Sequence, residues 1–147
     1  MEATAYKKQF VIFELENEEY GIDILRVKEI KEMMNITRVP KAASYVCGVI
    51  NLRGEVIPVV DLRRKFNLTE GERNSNTRII IVSIDDITVG MIVDTSSEVI
   101  EIGSQDIEDA PDGVGNVDQG YIYGIGKINK RLIILLDIVK IVTNSAV

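Results

Sequence analysis

The chain reads as an all-β protein. Its aliphatic residues are mostly β-branched, its apolar runs are short, and turn residues interrupt those runs at close intervals. Ile occurs 23 times and Val 17 times against 8 Leu, and side chains branched at Cβ suit a pleated surface better than a helix. A length of 147 residues fits one domain that buries most of its unfolded surface without disulfides or metals.

In chain order, Phe10 to Leu15 and Tyr20 to Ile24 are strand-like runs joined through the polar tetrad Glu16-Asn17-Glu18-Glu19, a first hairpin. Leu25 to Met34 is expected to be a strand that ends at Val39-Pro40, because proline lacks a ladder donor and holds its predecessor extended. Ala42 to Tyr45 is expected to make one helical turn. Val46 to Leu52 and Glu55 to Val60 form a second hairpin around Arg53-Gly54, where glycine supplies the positive φ of a tight turn. Pro58 argues for an edge or a bulge, and Asp61 can cap a short helix over Leu62 to Phe66. Asn67 to Thr77 reads as an exposed connection. Beyond it come strand-like runs at Arg78 to Ile84, Ile87 to Val93, Glu98 to Ile102, Tyr121 to Ile128 and Leu132 to Leu136. The last is expected to be too apolar to face water on either side.

The pattern repeats. An offset of 69 puts Ile12 on Ile81, Gly21 on Gly90 and Ile24 on Val93, and an offset of 76 puts Gly48 on Gly124 and Asp61 on Asp137. The chain is therefore expected to hold two pseudo-repeated antiparallel barrels of about five strands, closed or nearly so, with SH3-like or OB-like proportions. Within a single domain spanning 1–147, the first barrel is assigned to about 14–68 plus the C-terminal segment. The second is assigned to about 77–136, with the N-terminal strand available to be shared.

Composition narrows the function. The chain has no His, no Trp and one Cys, which removes the usual groups for proton transfer near neutral pH and for thiolate attack. A net charge of −6 and 5% aromatic residues argue against nucleic acid, which asks for basic grooves and stacking rings. Residues 1–9 lack the charged and apolar regions of a signal peptide, so the protein is expected in the cytoplasm, with no membrane insertion.

The candidate chemistries are weak. Asp106, Glu108, Asp109 and Asp112 lack the spacing of a calcium loop, and Asp85-Asp86 reads as a turn. Gly113-Val114-Gly115 and Gly124-Ile125-Gly126 precede no long helix that could hold a pyrophosphate. Cys47 reads as a buried small apolar residue, and the five Tyr as scattered packing residues. A hydrolase built on Asp94 and Glu98 has no paired spacing behind it. Neither a cofactor nor a metal is expected. Arg53 stands out, because the tip of a hairpin has no folding need for arginine and Arg is enriched where partners bind.

Residues 48–63, GVINLRGEVIPVVDLR, together with EEYGIDI at 18–24 and VKEI at 27–30, resemble the CheW family of bacterial chemotaxis coupling proteins, and the likeness runs over nearly the whole chain. The resemblance implies two five-stranded sub-barrels and a non-catalytic adaptor. Such an adaptor couples the cytoplasmic tip of chemoreceptors to the regulatory domain of the histidine kinase CheA, within membrane-associated receptor arrays. It further implies that the receptor's helical hairpin lies in the groove between sub-barrels, near Val27, Glu29 and Arg53, with Thr37 and Gly48 close by. The kinase would be gripped barrel end against barrel end, with the loop from Ile107 to Val117, including Glu108 and Val114, as candidate contact. The competing reading is a small β-barrel interaction domain of another two-component signalling assembly.

Overall fold

The computed structural model describes residues 6–69, 71–111 and 119–143. β1 (Lys7–Leu15) and β2 (Glu18–Asp23) make the first hairpin, and a 3₁₀ turn at Ile24–Arg26 leads into β3 (Val27–Glu32). β4 (Val46–Leu52) and β5 (Glu55–Asp61) make the second hairpin, followed by α1 (Leu62–Lys65). β6 (Arg78–Ile84), β7 (Ile87–Val93) and β8 (Thr95–Gly103) follow. β9 (Ile107–Glu108), β10 (Ile122–Ile128), β11 (Arg131–Leu136) and α2 (Ile138–Thr143) complete the order. The strand expected from Leu25 thus begins at Val27, after the 3₁₀ turn capped by Asp23. No helix forms at 42–45, where the chain instead makes a turn closed by the Val46 N–H on the Ala43 carbonyl at 2.9 Å. Pro58 pairs with Val49 but lies before the three pairs that β5 makes with β7, so its missing N–H interrupts no ladder.

The strands form a six-stranded sheet, β8-β1-β2-β11-β10-β9, and a five-stranded sheet, β3-β6-β7-β5-β4. Neither comes from one half of the chain, which corrects the expected partition into 14–68 and 77–136. The β1–β2 hairpin sits among β8 to β11, and its counterpart at offset 69, β6–β7, sits among β3 to β5. The halves have exchanged their first hairpins. This exchange places β2 parallel to β11 and β5 parallel to β7, so the sheets are mixed rather than antiparallel, as strands not joined by hairpins are free to be.

Chain continuity closes each sheet. β8 at one edge runs through a single 3₁₀ turn into β9 at the other. In the second sheet the chain leaving β3 crosses to β4, where Thr37 and Val49 exchange two backbone hydrogen bonds of 2.8 Å. The repeat extends to detail: Tyr45 and Tyr121 also stand 76 apart, and their carbonyls accept from the N–H groups of Asp61 and Asp137 at 2.8 Å each. These tyrosines are therefore equivalent rather than scattered.

Three apolar layers result. Ile50, Ile57, Ile79 and Ile81 fill one barrel, and Phe10, Ile12, Ile133 and Leu135 fill the other. Between them a larger seam gathers Val11, Phe13, Tyr20, Ile80, Val82, Ile134 and Leu136. β1, β6 and β11 thus bury both faces, which accounts for their continuous apolar sequences. Aromatic rings thread the seam, with centroids 5.6 Å apart for Phe13–Tyr20, 6.4 Å for Tyr20–Phe66 and 6.1 Å for Phe66–Tyr121. Exchanged hairpins and a common seam predict one cooperative unit. Hydrogen exchange at low denaturant is expected to release the amides of β6 and β11 together; full exchange of one sheet while the other stays protected contradicts the prediction.

Candidate functional site

The β4–β5 turn holds two residues in the left-handed region, Arg53 at φ 51° and Gly54 at φ 84°. This is the turn geometry that matches strand twist; glycine was expected to supply it alone, and arginine shares it. The Asn51 carboxamide oxygen accepts from the Gly54 N–H at 3.1 Å and steadies the turn. The Arg53 guanidinium donates to the Glu29 carboxylate, and Lys31 Nζ approaches the same carboxylate at 3.7 Å. The hydrogen bond from Arg53 holds the Glu29 carboxyl below its ordinary range. Glu29 lies on β3 and Arg53 beyond β4, the outer strands of this sheet, so their pair reaches across the gap between its edges. Arg53 keeps 69% of its side chain exposed. A shallow cavity of about 200 Å³ adjoins the pair, lined by Leu52, Ile57 and Thr88 among others.

Thr37 and Gly48 meet one residue along β4. Gly48 has φ +147°, and a Cβ there would stand 2.1 Å from the Thr37 carbonyl oxygen. The glycine therefore lets the crossing segment lie on the strand. Val27 is half-buried, paired with Val82 and packed against the seam. Of the five positions marked by the resemblance, the structure thus joins Glu29 to Arg53 and Thr37 to Gly48 on one barrel, and turns Val27 inward.

A second surface lies on the other barrel. Ile125, Leu132, Ile134 and Pro111 line a cavity of about 510 Å³ whose rim carries Glu18, Glu19, Glu108 and Asp109. Glu108 pairs with Lys127 at 2.7 Å, whereas Ile107 packs toward that barrel's own core. Val114, like Gly113 and Gly115, lies outside the described residues. Leu132 is 62% exposed, contrary to the expectation for its run, and its equivalent at offset 76, Val56, is 63% exposed. Each follows a hairpin turn by two or three residues. That shared position was the signal available in the sequence.

The other candidates resolve into structural roles. Asp94 is gripped by Arg63, with Nε to Oδ1 at 2.7 Å, and Glu98 by Arg131 Nη2 at 2.8 Å. The two acids therefore do not form a catalytic pair. Asp85 makes the β6–β7 turn at φ 52°. A Cβ on Gly124 would stand 2.9 Å from Ile107 Cγ2, so that glycine serves strand contact. Cys47 is half-buried rather than buried, 3.4 Å from Arg73 Nη2, and burial pushes its thiol pKa up. Among the described residues no helix is long and apolar enough to cross a membrane.

The model of the CheW-like domain matches residues 9–146. The chain belongs to the CheW family. Chemotaxis protein CheW of Bacillus subtilis (strain 168) is 43% identical over 130 residues, covering 88% of this chain and 83% of that protein. Chemotaxis protein CheW of Klebsiella aerogenes is 37% identical over 138 residues, covering 94% and 83% respectively. The crystal structure of the scaffolding protein TtCheW from Thermoanaerobacter tengcongensis superposes with a TM-score of 0.82 at 38% identity, covering 90% of this chain and 85% of that one. CheW-family proteins are non-catalytic scaffolds, and this member is a chemotaxis scaffold rather than an enzyme. The mostly β, two-sheet architecture agrees with that solved structure.

Proposed function

We propose that this scaffold couples the cytoplasmic tip of chemoreceptors to the histidine kinase CheA through two surfaces on different barrels. In this reading it works within receptor arrays at the membrane, recruited from the cytoplasm. The observation that supports it best is the Glu29–Arg53 pair. Two residues that family resemblance links to the receptor, 24 positions apart, meet side chain to side chain, Arg53 from an exposed turn and Glu29 from β3. Arg53 offers a planar fork of donors and Glu29 an acceptor, a combination suited to polar groups on a helical hairpin. Thr37 and Gly48 shape the neighbouring backbone, and Val27 supports β3 from beneath. The kinase contact falls to the other barrel, where Glu108 rims an apolar cavity floored by Leu132 and Ile134. Coupling requires that receptor and kinase states be bound with different free energies, since equal affinity for both states shifts no population.

Arg53→Ala is expected to weaken binding of a receptor-tip fragment about thirtyfold, because its desolvated partner is left unpaired. CheA binding should be unchanged. Melting should shift by no more than about 3 °C, as an exposed pair contributes little to folding. Titration of both proteins against receptor-tip and kinase fragments tests this: equal receptor affinities remove Arg53 from the interface, and a lost melting transition makes its role structural.

A further inference from the structure

Among the described residues Leu25 is the most exposed large apolar side chain, at 86%. It stands on the 3₁₀ turn that carries the chain from β2 in the six-stranded sheet to β3 in the five-stranded one. The turn is held in place: the Asp23 carboxylate accepts the Leu25 N–H at 2.9 Å, and Lys8 Nζ approaches the same carboxylate at 3.6 Å. Asp23 and Arg26, on either side of Leu25, line a cavity of about 260 Å³ whose apolar wall includes Phe10, Tyr123, Ile138 and Val139. Resting on the reading of Glu29 and Arg53 as receptor contacts, we propose that Leu25 is the apolar anchor of the same contact, packed against an apolar side chain of the receptor's helical hairpin.

A single exposed leucine needs no explanation; the internal repeat sets this one apart. At offset 69 Leu25 matches Asp94, and at offset 76 Arg63 matches Val139. Asp94 and Arg63 hold each other, Nε to Oδ1 at 2.7 Å. On that side of the molecule the link between the sheets is therefore clamped to the short helix that follows β5. On the other side both members of the clamp are apolar. Val139 lines the cavity and packs against the seam, whereas Leu25 is left in water. The exchange of an ion pair for two aliphatic residues has removed the charges without closing the contact, so the covering of Leu25 falls to a partner.

The strand ends indicate which partner. β2 and β11 run side by side from the cavity assigned to the kinase, at Glu18, Glu19 and Leu132, to the cavity beside Leu25, at Asp23 and Leu136. The two cavities thus lie at opposite ends of one barrel, and the kinase surface does not include Leu25. β3, by contrast, starts opposite Val82 and meets Ile81 at Glu29, so the chain leaves Leu25 and enters the other barrel at the end that carries the Glu29–Arg53 pair. Leu25 and Glu29 are separated by at most about 13 Å of chain, a span that an α-helix covers in about nine residues. One helix of a hairpin can therefore set an apolar side chain on Leu25 and a polar one on Arg53, two to three turns apart.

Calorimetric titration of the whole chain against a soluble chemoreceptor-tip fragment, and separately against a CheA regulatory-domain fragment, tests this on wild type, Leu25→Ser, Leu25→Met, Val39→Ser and Arg53→Ala. Leu25→Ser is expected to lose at least about tenfold in receptor affinity, the effect of one buried aliphatic side chain. Leu25→Met, which nearly conserves volume, should stay within about threefold of wild type. Val39→Ser alters another exposed apolar residue, on the crossing segment, and should bind both fragments as wild type does. Leu25→Ser should keep the CheA affinity and the melting curve of wild type. The proposal is overturned if Leu25→Ser binds the receptor fragment as wild type does, if it weakens CheA binding equally, or if Val39→Ser costs as much. Arg53→Ala separates the two readings. If it alone weakens receptor binding, the receptor site stands without Leu25; if Leu25→Ser alone does so, Leu25 holds the receptor and Arg53 does not. No binding of the receptor fragment to wild type overturns both.

Discussion

Arg63→Met is expected to destabilise the protein by about 2 kcal/mol and lower its melting temperature by about 6 °C, with both barrels still unfolding in one transition. Arg63 stands on α1, directly after β5. Its guanidinium grips Asp94, in the link between β7 and β8, at 2.7 Å and 2.5 Å. Asp94 in turn accepts from the Glu16 N–H at 2.9 Å, and its own N–H donates to the Glu14 carbonyl at 3.0 Å. Arg63 also donates to the Thr69 carbonyl at 2.7 Å. The cluster ties the turn between β1 and β2 in one barrel to α1 beside the other. The two side chains are 20% and 29% exposed, so the pair lies between a surface bridge worth under about 1 kcal/mol and a buried one costing about 3–5 kcal/mol when broken.

The same cluster sets an acid limit. Burial pushes the Asp94 carboxyl up, but the Arg63 hydrogen bonds, the Glu16 amide and the Arg63 charge together hold it below its ordinary value. A group depressed in the folded state stabilises fully above its unfolded value, about 3.9, and loses that contribution as pH falls through the folded value. The advantage of wild type over Asp94→Asn in denaturant titrations should therefore stay constant from about pH 7 to pH 5 and shrink below about pH 4. A gap that persists undiminished at about pH 3 would show that Asp94 acts by packing.

Strands, turns and the internal repeat were legible because each has a local cause. β-branched runs mark the strands, Asp61 and Asp137 sit at matching helix starts, and Gly21 and Gly90 recur where a Cβ would stand 2.9 Å from Leu135 and 3.0 Å from Ile79. The hairpin exchange was not legible. β1 and β6 each bury both faces, so both are equally apolar and neither carries a mark that selects its barrel. Arg53 could be singled out from its turn, but its partner Glu29 lies on a strand that meets it only when the sheet curls. Asp94 and Arg63, 31 residues apart, belong to no motif. The exposed Leu132 was hidden by the four buried residues that follow it. What eluded the sequence was contact between distant elements that local periodicity does not encode.

Gly48→Ala is expected to have the largest effect, about 3 kcal/mol or more of lost stability and a melting temperature lower by about 10 °C. Two penalties combine at this residue. A φ of +147° is unfavourable for any side chain, and the added Cβ would lie 2.1 Å from the Thr37 oxygen and 2.8 Å from its carbonyl carbon. Those are backbone atoms held in place by the paired 2.8 Å hydrogen bonds with Val49, so they cannot rotate away as a side-chain end could. Relief requires the crossing segment to lift, which breaks both bonds and opens the barrel. Gly54→Ala is the control: its φ of +84° carries strain, but nothing lies within 4 Å of the new Cβ, so about 1 kcal/mol is expected. Equal melting shifts for the two variants would mean that strain, not the crossing, accounts for Gly48. Thr37→Ala should keep the bridge, which uses only backbone atoms, whereas Thr37→Pro removes its donor and should resemble Gly48→Ala. If receptor binding follows the same order, weakened by Gly48→Ala and Thr37→Pro but not by Thr37→Ala, these two positions act by holding the backbone in place, and the direct contact rests with Arg53 and Glu29.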